Sequence, residues 1–210
     1  MIRRSFLLVA AMPFAARAQD ARTEFIVRKG KDTLAVERFS RDAATLTLTG
    51  TLSQSNGIRS EYVVNLRTDA SVEHLEMQRQ GPQGPAATLS IDFGDTLVNA
   101  TADAGGQTQK FSLPTRAKPM PFLVNSFALA EQIARASHLE VGKTMKWTAV
   151  RLGAGDTASM SVARPHADSV VISVPNGDLR LAVSKDGDVL GATFPAQQWT
   201  VERKKMTSKP

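Results

Sequence analysis

The chain has 210 residues, with 26 Lys and Arg against 20 Asp and Glu, a formal charge of +6, and no cysteine. The missing cysteine excludes disulfide staples, thiolate nucleophiles and thiolate metal ligands, so stability has to come from an ordinary hydrophobic core. Aromatic residues make up 6% of the chain and are not interleaved with basic ones, which argues against a base-stacking nucleic-acid surface.

Residues 1–18 read as a signal peptide. Arg3 and Arg4 form a positive start, residues 5–16 are almost wholly apolar, and Ala16-Arg17-Ala18 supplies a small-x-small cleavage pattern ahead of Gln19. The apolar run is about a dozen residues, short of the roughly 20 that a membrane-spanning helix needs. No later stretch is long and apolar enough, so no transmembrane segment is expected. Arg3-Arg4-Ser5-Phe6-Leu7-Leu8 also fits the twin-arginine export pattern, although Ile2 stands where Ser or Thr is usual. Both that route and the general secretory one stay open. Cleavage removes Arg3, Arg4 and Arg17 and no acid, which lowers the formal charge from +6 to +3.

Residues 19–210 read as one β-rich domain with a short basic tail, Arg203-Lys204-Lys205 and Lys209, that is ordinarily a solvated end. Period-2 alternation runs through most of it. Leu46, Leu48, Gly50 and Leu52 face one way and the threonines between them the other. The same pattern recurs at Tyr62-Val64-Leu66, Leu89-Ile91-Phe93, Met145-Trp147-Ala149, Val170-Ile172-Val174 and Leu179-Leu181-Val183. Turn signals such as Lys29-Gly30, Asn56-Gly57, Asn176-Gly177 and Asp186-Gly187 separate the runs closely, which favours an antiparallel meander of roughly a dozen strands. Gly153-Ala154-Gly155-Asp156 joins two strand-like runs and is read as a turn, not a phosphate loop, because no helix follows it.

One segment breaks the period. After Pro114–Pro121, residues 122–137 read as an amphipathic helix, with Asn125, Glu131, Gln132 and Arg135 in one sector and apolar residues over the rest. So wide an apolar stripe predicts a helix wrapped by a curved sheet. The expected fold is therefore mainly β: a curved antiparallel meander, a half-open or flattened barrel, with one internal helix. The alternative is two stacked sheets joined by that helix. The hairpin running from Arg28-Lys29-Gly30-Lys31-Asp32 to Phe39, the Pro-rich lead and the apolar helix, behind a signal peptide, resemble exported bacterial domains of unknown function. In those a curved antiparallel sheet wraps a helix, as in the periplasmic lipoprotein carriers. The resemblance implies a periplasmic setting and an apolar cavity, and transfers no functional residue.

Catalytic signals are absent from the pattern. His74, His138 and His166 lack metal-ligand spacing, and no Gly-x-Ser-x-Gly occurs. Ser126, beside the helix, reads as a cap. Glu37, Glu61, Glu73, Glu76, Asp92 and Glu202 fall in strands, where pairing with cross-strand Arg or Lys is the ordinary expectation. No catalytic residue, metal ligand or cofactor is assigned. The expected function is an exported binding or scaffold protein, periplasmic or secreted, more a binder than an enzyme. It would hold a lipid or other apolar small molecule between sheet and helix. Candidate lining residues are Phe122, Phe127, Leu129, Ile133, Met145 and Trp147, each of which could equally be plain core. The alternatives are an envelope hydrolase whose site is assembled by the fold, and a subunit of an envelope complex, which would show an exposed edge or apolar patch.

Overall fold

The computed structural model describes residues 22–82, 84 and 86–205. The signal peptide expected at 1–18 and the end of the basic tail lie outside the described residues. The first half of the chain supplies β1 (Thr23–Lys29), β2 (Asp32–Asp42), β3 (Thr47–Gln54), β4 (Arg59–Leu66), β5 (Val72–Gln80), β6 (Ala87–Phe93), β7 (Leu97–Ala104) and β8 (Gln107–Pro114). After β9 (Pro119–Phe122) and the helix α1 (Phe127–Ser137) come β10 (Thr144–Arg151), β11 (Asp156–His166), β12 (Ser169–Val174), β13 (Gly177–Val183), β14 (Val189–Phe194) and β15 (Trp199–Lys205).

All fifteen strands belong to one sheet in the order β8-β7-β6-β5-β4-β3-β2-β1-β15-β14-β13-β12-β11-β10-β9. The two runs of hairpins are stitched together by β1 and β15, antiparallel with Val27 opposite Val201. That seam makes one continuous sheet instead of two stacked ones. The strands beyond the expected dozen include β8, whose residues are mostly exposed and carry little apolar alternation to read.

Curvature follows from the connections. Laid flat, fifteen strands would span about 67 Å. Yet β8 and β9, the two outer edges, are joined by residues 115–118 alone, a link that reaches at most about 18 Å. The sheet therefore curls into an incomplete barrel with an unpaired seam between β8 and β9. The seam is blunted on one side by proline. Phe122 accepts from Leu152 N–H and Lys118 from Thr148 N–H, so Pro119 and Pro121, which alternate with the bonded positions, turn their missing donors toward the open edge.

A barrel of this many strands has more interior than strand side chains fill, and α1 occupies it. The helix touches β2, β9 and β12. In a flat sheet β2 and β9 would lie roughly 38 Å apart, over three helix diameters. Phe127 meets Phe25 edge to face with centroids 6.1 Å apart, and Phe25 stacks on Phe39 at 5.4 Å. The helix is thus anchored where the two halves of the sheet join. It begins at Phe127 and not at 122. Phe122 ends β9, and Ser126 caps the helix in an extended conformation, φ −101° and ψ 108°. Among the described residues no helix is long and apolar enough to cross a membrane.

Candidate functional site

Two buried carboxylates, Glu37 and Glu131, tie α1 to the sheet. At its N-terminus stands Glu37, in the middle of β2 and 0% exposed. Alternation places it on the inner face between Ala35 and Phe39. Its Oε2 accepts from the backbone N–H of Phe127 at 2.6 Å and of Ala128 at 2.8 Å. Its Oε1 accepts from Tyr62 Oη at 2.7 Å and Ser126 Oγ at 2.5 Å. Ser126 Oγ in turn accepts from Leu129 N–H at 3.3 Å, and the Ser126 carbonyl from Ala130 N–H at 3.3 Å. Ser126 N–H itself donates to the Leu123 carbonyl at 2.9 Å, so the four N–H groups of Ser126–Leu129, which a helix start leaves without intrahelical partners, are all satisfied. The helix dipole also favours a carboxylate here. Burial raises the Glu37 pKa above the ordinary value, and the four donors pull it back part of the way.

Gly50 makes this arrangement possible. It lies between Phe39 and Tyr62 in the sheet register, and a Cβ there would sit 2.3 Å from Cζ and Oη of Tyr62. Gly50→Ala is therefore expected to push the phenol off Glu37 and cost roughly 1–3 kcal/mol. In a Tyr62→Leu background most of that cost should vanish, which chemical denaturation of the four proteins of the cycle would measure. An equal cost in both backgrounds would mean that Gly50 matters for another reason.

Toward the C-terminal end Glu131, also 0% exposed, is held by arginines from three elements. Arg41 Nη1 donates to it at 2.7 Å and Arg203 Nη1 at 2.6 Å, Val189 N–H donates at 2.8 Å, and Arg135 Nε stands 3.6 Å away. Gln132 accepts from Arg41 Nη2 at 2.9 Å and donates to the Ala70 carbonyl at 2.5 Å. Arg135 also pairs with Asp188. Of the sector expected to be the polar face of the helix, Glu131 and Gln132 are thus buried and Asn125 and Arg135 half-buried, because the sheet wraps the helix on that side too. His138, in the left-handed conformation, closes the helix.

Beside this cluster, at the same end of the barrel, lies a pocket of about 350 Å³. Its wall is built from the β2–β3, β4–β5 and β13–β14 turns, the last turn of α1 and Arg164 of β11. Four non-glycine residues among those described have positive φ: Leu46 (52°), Ala70 (61°), His138 (45°) and Gln198 (58°). The first three line this pocket. Backbone strain of that kind collects at functional sites. A second, wider groove of about 810 Å³ crosses β2–β6 and is lined largely by outward-facing Ser, Thr, Gln and charged residues.

The sequence-derived lining residues separate into two groups. Phe122, Phe127, Leu129, Ile133 and Trp147 lie together in the main core, at 7, 0, 1, 0 and 4% exposure. Met145 is 38% exposed at the start of β10 and stands outside that cluster. The histidines do not converge. His74 bonds Asp92 at 2.7 Å on the outer face, and among the described residues no group of three or more side chains could hold a metal ion. Glu37, read from the sequence as a strand carboxylate with a cross-strand partner, and Glu131, read as part of the polar sector of the helix, are instead both buried against α1 and its surroundings. The alternation Ala35-x-Glu37-x-Phe39 was the available signal for the first, and the i,i+4 spacing to Arg135 for the second.

No family model matches the chain, and no curated protein matches it. Two solved structures resemble it. One is a DUF1089 family protein from Pseudomonas aeruginosa, at TM-score 0.58 and 14% identity over 78% of this chain and 90% of that one. The other is a beta-barrel-like protein of domain of unknown function DUF1849 from Brucella abortus, at TM-score 0.51 and 10% identity over 89% of this chain and 94% of that one. At such identities the likeness is one of fold: an open, barrel-like sheet, antiparallel except where β9 pairs parallel to β10 in this chain, seen in domains of unknown function.

Proposed function

We propose that the protein is a non-enzymatic binding protein of the cell envelope, exported by the signal of residues 1–18. In this reading it holds the apolar part of a small ligand between α1 and the concave face of the sheet. The observation that carries it is the pocket at the C-terminal end of α1. Its wall includes Leu66, a member of the core, and Ala134, which packs against the core. Apolar contacts are non-directional, so an alkyl chain can share the surface that these side chains cover without breaking a hydrogen bond.

The enzymatic alternative gains little from Glu37, Tyr62 and Ser126, although they set hydroxyls beside a carboxylate. Both hydroxyl donors of that group are spent on Glu37, and Glu37 itself is 0% exposed, so it offers no free carboxylate to a substrate. Native mass spectrometry of the protein purified from the periplasm tests the proposal. The expected result is a chain beginning at Gln19 that carries a small apolar molecule, released on denaturation. A bare chain that also fails to take up an apolar fluorescent naphthylamine would overturn it.

A further inference from the structure

We propose that the pocket at the C-terminal end of α1 is an anion site, which takes the phosphate or carboxylate group of an amphiphilic ligand. This inference rests on the binding reading above and gives it a headgroup chemistry. Five of the lining side chains are Arg41, Arg67, Arg135, Arg164 and Lys185, against Asp42 and Asp186. What matters is which of these charges are already answered. Arg41 and Arg135 pair with Glu131 and Asp188. Arg67 and Arg164, by contrast, donate only to neutral oxygens. For Arg67 these are the carbonyls of Val72 and Phe93 and the Ser71 hydroxyl; for Arg164, the carbonyls of Leu139 and Ala167. Lys185 is exposed on its turn and has no hydrogen-bond or ion-pair partner among the described residues.

A second observation points the same way. The Nε–H groups of Arg41 and Arg164 are buried without a hydrogen-bond acceptor, as is that of Arg203 outside the pocket, whereas Arg135 Nε faces Glu131 at 3.6 Å. Buried donors are nearly always satisfied, so the two unspent ones of Arg41 and Arg164, in guanidiniums that line one pocket, mark positive charge that the fold has not fully answered. Against these stand two carboxylates: Asp186, exposed to solvent as Lys185 is, and Asp42, which accepts from Ala44 and Thr45 N–H within its own turn. The helix C-terminus adds only about half a negative charge. Leu46, Leu66 and Ala134 in the same wall suit a ligand that joins an anionic group to an alkyl chain.

Calorimetric titration with inorganic phosphate, dodecyl phosphate and neutral dodecyl maltoside, the amphiphiles below their micellar concentrations, tests this. Lys185→Glu serves as the probing variant, since Lys185 makes no bond that the fold needs, and unchanged thermal unfolding would verify that. The expected result is that dodecyl phosphate binds best. Lys185→Glu should weaken it roughly tenfold and leave the maltoside untouched, and added salt should weaken the wild type. If inorganic phosphate binds as well as dodecyl phosphate and loses as much in the variant, the anion site stands with a free anion as its source, and the apolar reading falls. Equal binding of the phosphate and maltoside amphiphiles, insensitive to the variant, overturns the anion site and leaves the apolar reading. Binding of none of the three overturns both.

Discussion

Glu37→Gln is expected to destabilise the protein by about 3–4 kcal/mol, which urea denaturation followed by tryptophan fluorescence would measure. The carboxylate offers acceptors in four directions and receives four donors, from Tyr62, Ser126, Phe127 and Ala128. An amide of the same shape keeps one acceptor oxygen and turns an NH₂ group toward two of those donors. The losses are those of buried polar groups left unpaired, each worth roughly 1–3 kcal/mol. Removing a single donor gives the control. Tyr62→Phe keeps the carboxylate and three of its bonds, and should cost only about 1 kcal/mol. If the two substitutions proved equally mild, Glu37 would not be the tie that seats the helix.

The same carboxyl gives a pH dependence whose sign is fixed by its environment. Its pKa in the fold is raised above the ordinary value of 4.5, chiefly by burial. The native state therefore binds the proton more tightly than the unfolded chain does. The stability this contributes is fully present below about 4.5 and is lost as pH rises through the folded-state pKa. The Gln variant has no such group. Its deficit relative to the wild type should be widest at acid pH and narrow as pH rises through that range. A deficit that widened instead would mean that the four donors outweigh burial.

How much of this was legible beforehand depends on the residue. The period-2 runs located the hairpins because one sheet face is apolar, and the width of the apolar stripe around Phe127, Leu129 and Ile133 foretold a helix enclosed by a curved sheet. Curling could be argued from strand number. The seam, by contrast, depends on β1 pairing with β15, a contact between opposite ends of the chain that local patterns do not encode. Residue type also misled in a specific way. By type, Glu131 and Gln132 read as the polar sector of the helix and Glu37 as a strand carboxylate with a cross-strand partner, because charged side chains are seldom fully buried without a partner. Their partners come from Arg41, Arg203 and the start of α1, 70 or more residues away in sequence for Glu131 and Glu37. A reading that counted Glu37 on the apolar side of Ala35 and Phe39 would have asked what satisfied it. The helix start was misplaced for a related reason. Phe122 and Leu123 are apolar enough to extend the stripe, but Pro119 and Pro121 suit an edge strand, and the chain turns before Ser126 can cap.

Glu131 should prove as costly to neutralise as Glu37, by a different mechanism. Gln at position 131 can still accept from Val189 N–H, so the backbone contact survives. What is lost is the buried negative charge that faces Arg41 and Arg203 at 2.7 and 2.6 Å, with Arg135 at 3.6 Å; Asp188 remains, paired with Arg135 and 3.7 Å from Arg203. Arg41 and Arg203 are themselves only 19% and 11% exposed at the side chain, so water cannot take over. Leaving such a cluster with only the half-exposed Asp188 should cost about 3 kcal/mol. Because the pairs are buried, the loss should persist at high salt, whereas the exposed pair of Arg59 and Glu61, at 2.7 Å, should contribute about 1 kcal/mol or less and be screened away. Adding Arg41→Met to Glu131→Gln removes one stranded cation, and the double variant should regain part of the loss. The coupling would be between about 0.5 and 3 kcal/mol by a denaturation cycle. Strict additivity would show that Glu131 acts through its shape alone. Arg41 lies on β2 and Arg203 on β15, the strands that flank β1. The carboxylate therefore ties the helix to both halves of the sheet at the strand pair that joins them, and its neutralisation should loosen α1 before the hairpins that lie farther out.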